Sequence, residues 1–584
     1  YYKTATMLYN LQYVLGDSLF IGAMQHYFNQ WKMAHPYFED FRYSIINYTH
    51  VDLNWFFDQW METTKTIDYA IKGRAQRVYE QDGKPSVSYV VKLKRKGEMQ
   101  MPVDLMAYSK DGKIYTSTVS NTYFNKKSNE TIQSLNRWFG WGKLNPIYRA
   151  VIYCPGGLKK VSIDTTYRLA DVNQLNNSTK FPVKFMFDSQ IKSPLTRKHY
   201  ILKWRPDVWY NSVDGIKAGL HLNGNYYNYK RIFRATVWYN TEVLNDKLYA
   251  STTPINYLFS YTNNMPRNFS YNLQSRWLDG LLMHQVGIQK KYGNNVISAN
   301  FKSMYRNTLS DVAYLLYPNS WQSGKYNNTL NIEYTRNYNY KRGNGQITLA
   351  MRNTALGSDY DYASLNLTAI NNNTLGKFDF RTRVFAQYMT GSDIAAESKL
   401  NVAGANSEQL MDNKFVRSLA FVPTGWLGYG ANVNHFQHGG GLNVRGYAGY
   451  ALPYNVGNNQ VQLFAGNSGA SFNGELDLDR LVKFEPKIFK NTFHLDVYLF
   501  GDVGIIQNKF KTGEYGLAAN QTVTSDVLIS AGTGAVLTIK RWGKLDEIKP
   551  LAIRFDMPWL LNNTPFVDGD YFKLRWIVGV SRAF

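Results

Sequence analysis

With 584 residues the chain exceeds one ordinary domain and has room for roughly two to four. Aromatic residues make up 16% of it, with 45 Tyr and 14 Trp, yet mean hydropathy is −0.39; this excludes a disordered chain, poor in aromatics, and a helical membrane protein, far more apolar. The formal charge of +23 comes from basic residues spread along the chain, which argues against a nucleic-acid-binding stripe and for lumen-facing and membrane-rim charge.

No run of about eighteen apolar residues occurs, so no spanning helix is expected. The sequence opens at Tyr1, without Met or a signal-peptide pattern, directly in a helical pattern, and reads as a processed or truncated piece of a longer protein. Residues 1–67 predict four helices. Met7, Leu11, Val14 and Leu15 fall at helical spacing, with Gly16 as the stop. Asp17 then caps a second helix with Phe20, Met24, Tyr27, Phe28 and Trp31 on one face, broken at His35-Pro36. A third covers about 38–48, and a fourth carries Leu53, Phe56, Phe57, Trp60 and Met61.

From 68 to 172 the period changes to two. Val87, Tyr89, Val91 and Leu93 alternate with polar residues, and Lys110-Asp111-Gly112 makes a turn between strands. A small β-sandwich is expected here, followed by a linker at 173–202. Cys154, the single cysteine, lies in an apolar strand pattern and reads as a small core residue.

Residues 203–584 are strand after strand. Ile216, Ala218, Leu220 and Leu222 oppose Lys217, Gly219, His221 and Asn223; Phe378, Phe380, Val384 and Tyr388 oppose Asp379, Arg381, Arg383 and Gln387. At about ten residues per strand plus connections, this predicts a roughly 16-stranded antiparallel transmembrane β-barrel. The fold class is therefore multidomain: an α-helical part, a small β-sandwich and a barrel.

A long irregular stretch, 391–444, leads into Gly439-Gly440-Gly441-Leu442-Asn443-Val444-Arg445-Gly446-Tyr447. Later, in the strand around 493–503, Phe493, Leu495, Val497 and Leu499 face lipid, so Asp502 shares the lumenal face with His494 and Asp496. A carboxylate inside a barrel needs a partner, and Arg445 on a glycine-rich loop is a suitable one. The Val-Arg-Gly-Tyr stretch, the Gly501-Asp502-Val503-Gly504 strand and the ending Trp576-Ile577-Val578-Gly579-Val580-Ser581-Arg582-Ala583-Phe584 resemble the bacterial surface antigen superfamily of BamA-type barrels. The resemblance implies an outer-membrane barrel with a loop folded into the lumen, locked by Arg445, Gly446, Tyr447 and Asp502. It also implies that Trp576 and Phe584 belong to a C-terminal barrel signal. The POTRA repeats that precede such barrels in assembly and secretion proteins are not recognisable here.

Residues 1–64 resemble the end of the catalytic domain of aminopeptidase N-type zinc peptidases. The resemblance rests on Tyr1-Tyr2-Lys3, Met7-Leu8, Leu15-Gly16, Phe20, Met24, Tyr27, Trp31, His35-Pro36, Asp40-Phe41 and the stretch Leu53–Trp60. It implies that Tyr1 stabilises an oxyanion, Tyr2 being the alternative register. The family's His-Glu-x-x-His zinc motif is not in this sequence, whose nine histidines are scattered, so zinc would be bound upstream of the chain. Of these, His435 and His438 read as loop residues.

Three functions follow. The first is an outer-membrane-anchored zinc metallopeptidase, with the N-terminal domains and a peptide or protein substrate in the periplasm. The alternative is a non-catalytic outer-membrane assembly or transport component that uses the peptidase-like domain as a docking scaffold. The third is a structural subunit contacting other outer-membrane proteins. All place the barrel against outer-membrane lipid.

Overall fold

The structure is a computed structural model. It describes all residues except 82–83, 127–131, 141–143, 190–194, 249–250, 252, 308–312, 421, 431–433, 479–491, 541–550 and 565–568. The chain divides into two compact units near residues 185–202, the first holding Tyr1–Phe185 and the second Leu202–Phe584.

In the N-terminal unit four helices, Tyr2–Leu15, Asp17–Trp31, Phe38–Thr49 and Asn54–Glu62, precede two sheets. The first helix stops because Gly16 takes φ 82, a left-handed conformation that costs glycine little. One sheet has the strands Tyr69–Gln81, Lys84–Arg95 and Ile147–Tyr153 in that order. The other orders Ile132–Leu135, Ile114–Val119, Val103–Ser109 and Leu158–Ile163, its first pair running parallel. Helices and sheets share one core: Leu11, Leu53, Phe56 and Phe57 are buried with Val91, Leu93, Leu105, Ile152 and Cys154. Polar links tie the layers as well. The Tyr13 hydroxyl accepts from the Asp104 N–H at 2.9 Å, and the Asn10 amide oxygen accepts from Ala170 N–H at 3.0 Å. Asp171 is fully buried, where its carboxylate accepts from the N–H groups of Tyr69 (2.9 Å) and Asn173 (2.7 Å).

The C-terminal unit is a closed barrel whose sheet contains nineteen strand elements among the described residues. Long antiparallel strands pair in unbroken register, for example Leu282↔Tyr305 through Tyr292↔Asn295. Leu220, Val237, Val286, Leu349, Val384 and Leu537 point outward and are exposed, while Lys217, Thr236, Lys302, Arg383, Asp502 and Arg554 point inward and are buried. Apolar outside and polar inside is the arrangement that lets strands cross a bilayer, since closure pairs every backbone group and lipid meets only hydrocarbon.

The expected fold class needs correction in three respects. The chain is mostly β, and its five α-helices among the described residues form no peptidase remnant: the N-terminal four merge with the sheets into one core. Amphipathic stripes specify a buried face but not the domain that buries it. The barrel sheet has nineteen elements, not roughly sixteen. Short pieces, Val183–Phe187, Asn434–Phe436 and Gln521–Thr524, join the wall, and a count based on spanning length does not see them. Nor is pairing purely antiparallel, because Asn434–Phe436 runs parallel to Trp576–Val580. That final strand begins at Trp576, so Phe572 and Leu574 lie outside it.

Candidate functional site: a charged lumen with an inserted segment

The strands Phe378–Asp393 and Ser468–Asp477 are neighbours in the wall, in register from Asp379↔Asp477 to Gln387↔Gly469. Between them lies 394–467, which lends Asn434–Phe436 to the wall and whose described residues elsewhere reach into the barrel. Its side chains and carbonyls bond to lumen-facing residues on many different strands, which places it across the lumen instead of along one wall.

Arg445 is the most connected of these anchors. It sits in a 3₁₀ turn, Arg445–Tyr447, and is completely buried. Its Nε and Nη2 donate to the two oxygens of Asp502 at 2.8 and 2.9 Å, and its backbone N–H donates to the same carboxylate at 3.1 Å. Nη1 donates to Glu475 at 2.8 Å, and the guanidinium lies 3.8 Å from the centroid of the Phe500 ring. Asp556 is held by Arg554 at 3.1 Å and by the Tyr498 hydroxyl. Gly446 has no room for a side chain, because a Cβ there would lie 2.6 Å from the Ser530 Cβ; its N–H donates to the Ser530 hydroxyl at 3.1 Å. The Tyr447 hydroxyl donates to Asn562 at 3.0 Å. The structure therefore brings Arg445, Gly446, Tyr447 and Asp502 together. Every carboxylate of the group faces a cation or a donor, which suits a lock and leaves no free base or nucleophile.

Other anchors lie around the wall. Glu408 accepts from both terminal nitrogens of Arg352 at 2.6 and 2.9 Å and from Lys302 at 2.8 Å. Arg417 pairs with Asp279, which also holds Lys217 together with Asp214. Arg276 donates to the Met411 carbonyl at 3.1 Å and to Asp412 at 3.0 Å. Arg383 donates to the Gly441 carbonyl at 2.8 Å, Arg554 to Gln437, and Arg575 to the Tyr450 hydroxyl at 3.0 Å. Sequence reasoning missed these contacts. The available signal was Lys302 and Arg352 at lumen-facing positions of their strands, each in want of an anion.

The remaining candidate residues are dispersed. Trp576 meets Trp426 of the inserted segment edge-on, with ring centroids 4.8 Å apart. Phe584 lies under Arg381, 5.2 Å from guanidinium carbon to ring centroid. His435 is bonded to the Tyr317 hydroxyl at 3.2 Å and His438 to the Val580 carbonyl at 3.2 Å. Tyr1 and Tyr2 are exposed at the start of the first helix. Among the described residues no group of three or more His, Cys, Asp or Glu could hold a metal ion.

No family model and no curated protein matches the chain. Among solved structures it is similar to BamA from Haemophilus ducreyi lacking POTRA domains 1–3, at 13% identity and a TM-score of 0.34 over 65% of this chain and 70% of that one. It is also similar to a BenF-like porin from Pseudomonas fluorescens Pf-5, at 8% identity and a TM-score of 0.30 over 88% and 97%. A third is OccAB4 from Acinetobacter baumannii, at 8% identity and 0.27 over 86% and 95%. All three likenesses are distant, and they do not choose between a porin-like and a BamA-like barrel. The geometry of the lumen has to do that.

Proposed function

We propose that this chain is a non-enzymatic component of the bacterial outer membrane that serves the assembly or transport of polypeptides. Its barrel is the membrane anchor and its N-terminal unit is a docking module. The observation that carries the reading is the inserted segment. A porin for small solutes needs a standing water path, whereas here 394–467 is tied to wall residues from Arg276 to Arg575. What remains for function is the wall, the lipid around it and the surface of the N-terminal unit, all suited to partners larger than a solute. The outward apolar face supports contact with outer-membrane lipid.

Solute uptake by liposomes carrying the purified protein tests the proposal. The expected result is no swelling with small sugars above that of empty liposomes. Swelling at the rate of an open porin would overturn it.

A further inference from the structure

The three-stranded sheet of the N-terminal unit ends in the strand Ile147–Tyr153, whose only sheet neighbour among the described residues is Lys84–Arg95. Its inward residues Ala150 and Ile152 are fully buried in the core, while Ile147, Val151 and Tyr153 are exposed by 41%, 45% and 46%. Arg149, between them, is exposed too. The register sets Tyr153 beside Ser88, Val151 beside Val90, Arg149 beside Lys92 and Ile147 beside Lys94. On the next strand Arg77 is level with Ser88. The outer face of this sheet is thus apolar and cationic in alternation. Among the described residues none of Arg77, Lys92, Lys94 and Arg149 is within salt-bridge reach of a carboxylate.

An edge strand presents a row of backbone donors and acceptors to any chain that can lie beside it. Proteins blunt such edges with short length, charged side chains, proline, bulges or inward charge; here the strand's one charge is Arg149. This strand has no proline, keeps continuous register over seven pairs and directs its inward side chains into the core. Seven residues of strand span about 24 Å, enough to pair with a recognition segment of the same length. Cations with no carboxylate neighbour among the described residues call for carboxylates, and Ile147, Val151 and Tyr153 on the same face call for apolar residues on the ligand face that carries those carboxylates.

We propose that Ile147–Tyr153 is a docking edge that accepts an extended acidic polypeptide segment, with alternating apolar residues, as a further strand. The assignment rests on the reading of the N-terminal unit as a docking module and names its ligand class. Backbone pairing supplies affinity, and Arg149 and Lys92 select acidic segments.

The test uses the whole chain in detergent and a fluorescein-labelled ten-residue peptide in which Glu and Val or Tyr take turns at every second position, with Thr between, so that acidic and apolar side chains share one face, read by anisotropy. Saturable binding is expected, weakened about tenfold or more by Arg149→Glu and by Lys92→Glu and retained by Arg149→Lys. Both positions are exposed, so circular dichroism should show the folded protein in each variant. A peptide of equal charge with proline at alternate positions, which cannot pair, is expected not to bind. The inference is overturned by absence of binding, by equal binding of the proline peptide, by binding indifferent to both charge reversals, or by charge dependence seen with anionic lipid nanodiscs and not with the peptide. Solute exclusion by the barrel is independent of all these outcomes, so failure of the docking edge and failure of the closed-barrel reading are separable.

Discussion

The two units of this chain use the same alternation of residues with opposite polarity. In the N-terminal unit the strand Ile147–Tyr153 buries apolar residues, Ala150 and Ile152, while the charged residues Lys92 and Arg149 face water. In the barrel the exposed side is apolar, as with Leu349 and Val384, and the buried side holds Arg383, Asp502, Arg554 and Asp556. A period of two reports that a strand has two faces. Which face is the interior depends on the solvent, and a bilayer inverts the answer. The buried contacts differ accordingly: apolar packing in one interior, and in the other paired charges beside apolar clusters such as Leu442, Val444 and Leu463.

The largest effect that could break this comparison is removal of a buried cation. Arg445→Ala leaves Asp502 and Glu475 buried with much of their compensation gone, a loss of about 3–5 kcal/mol by analogy with other buried pairs. The folded barrel should then lose its resistance to unfolding in SDS at a markedly lower temperature. An unchanged transition would mean the cluster holds nothing together.

A second, pH-dependent effect sharpens the contrast from the side of the N-terminal unit. Burial pushes the Asp171 carboxyl up to about 7, against about 3.9 in an unfolded chain. Between about pH 4 and pH 7 the unfolded state sheds this proton while the folded state keeps it. Stability therefore falls as pH rises through that window, by at most about 1.4 kcal/mol per pH unit, and levels off above it. Urea unfolding followed by limited proteolysis of this unit should show that slope, and Asp171→Asn should flatten it.

Of comparable or smaller size is the response to a charge on the outer wall. Leu349→Arg places a cation mid-strand on the face assigned to lipid, at a cost of about 2–4 kcal/mol if that face meets the bilayer. The same change on a water-exposed surface stays within about 0.5 kcal/mol. Refolding yields into lipid vesicles discriminate the two. The smallest effect is expected at the exposed pair Arg168–Asp17, where Arg168→Ala should lower the unfolding free energy measured in urea by less than about 1 kcal/mol.

Much of this was legible in the residues. The stripes at Met7, Leu11 and Val14 and at Phe56, Phe57 and Trp60 mark helices that the structure contains. Alternation around Leu220 and Val384 marks wall strands, and the glycine-rich approach to Arg445 together with the lumenal position of Asp502 points to their contact. The rest lacked a local signal. Glu408 stands in an irregular stretch where no period says that it meets Lys302 and Arg352, more than fifty residues of chain away. Strands as short as Asn434–Phe436 carry too few residues to alternate. The N-terminal helices resembled a peptidase because a packing stripe records the presence of a neighbour and not its identity.

That the wall charges hold the described residues of 394–467 in the barrel is tested most directly by hydrogen–deuterium exchange of the lipid-embedded protein. Amides of 434–450 should be protected to nearly the same degree as those of the wall strand Phe493–Phe510, and Asp502→Asn should lower their protection first. Exchange of 434–450 as fast as the exposed connection 511–520, in the unaltered protein, would contradict the account.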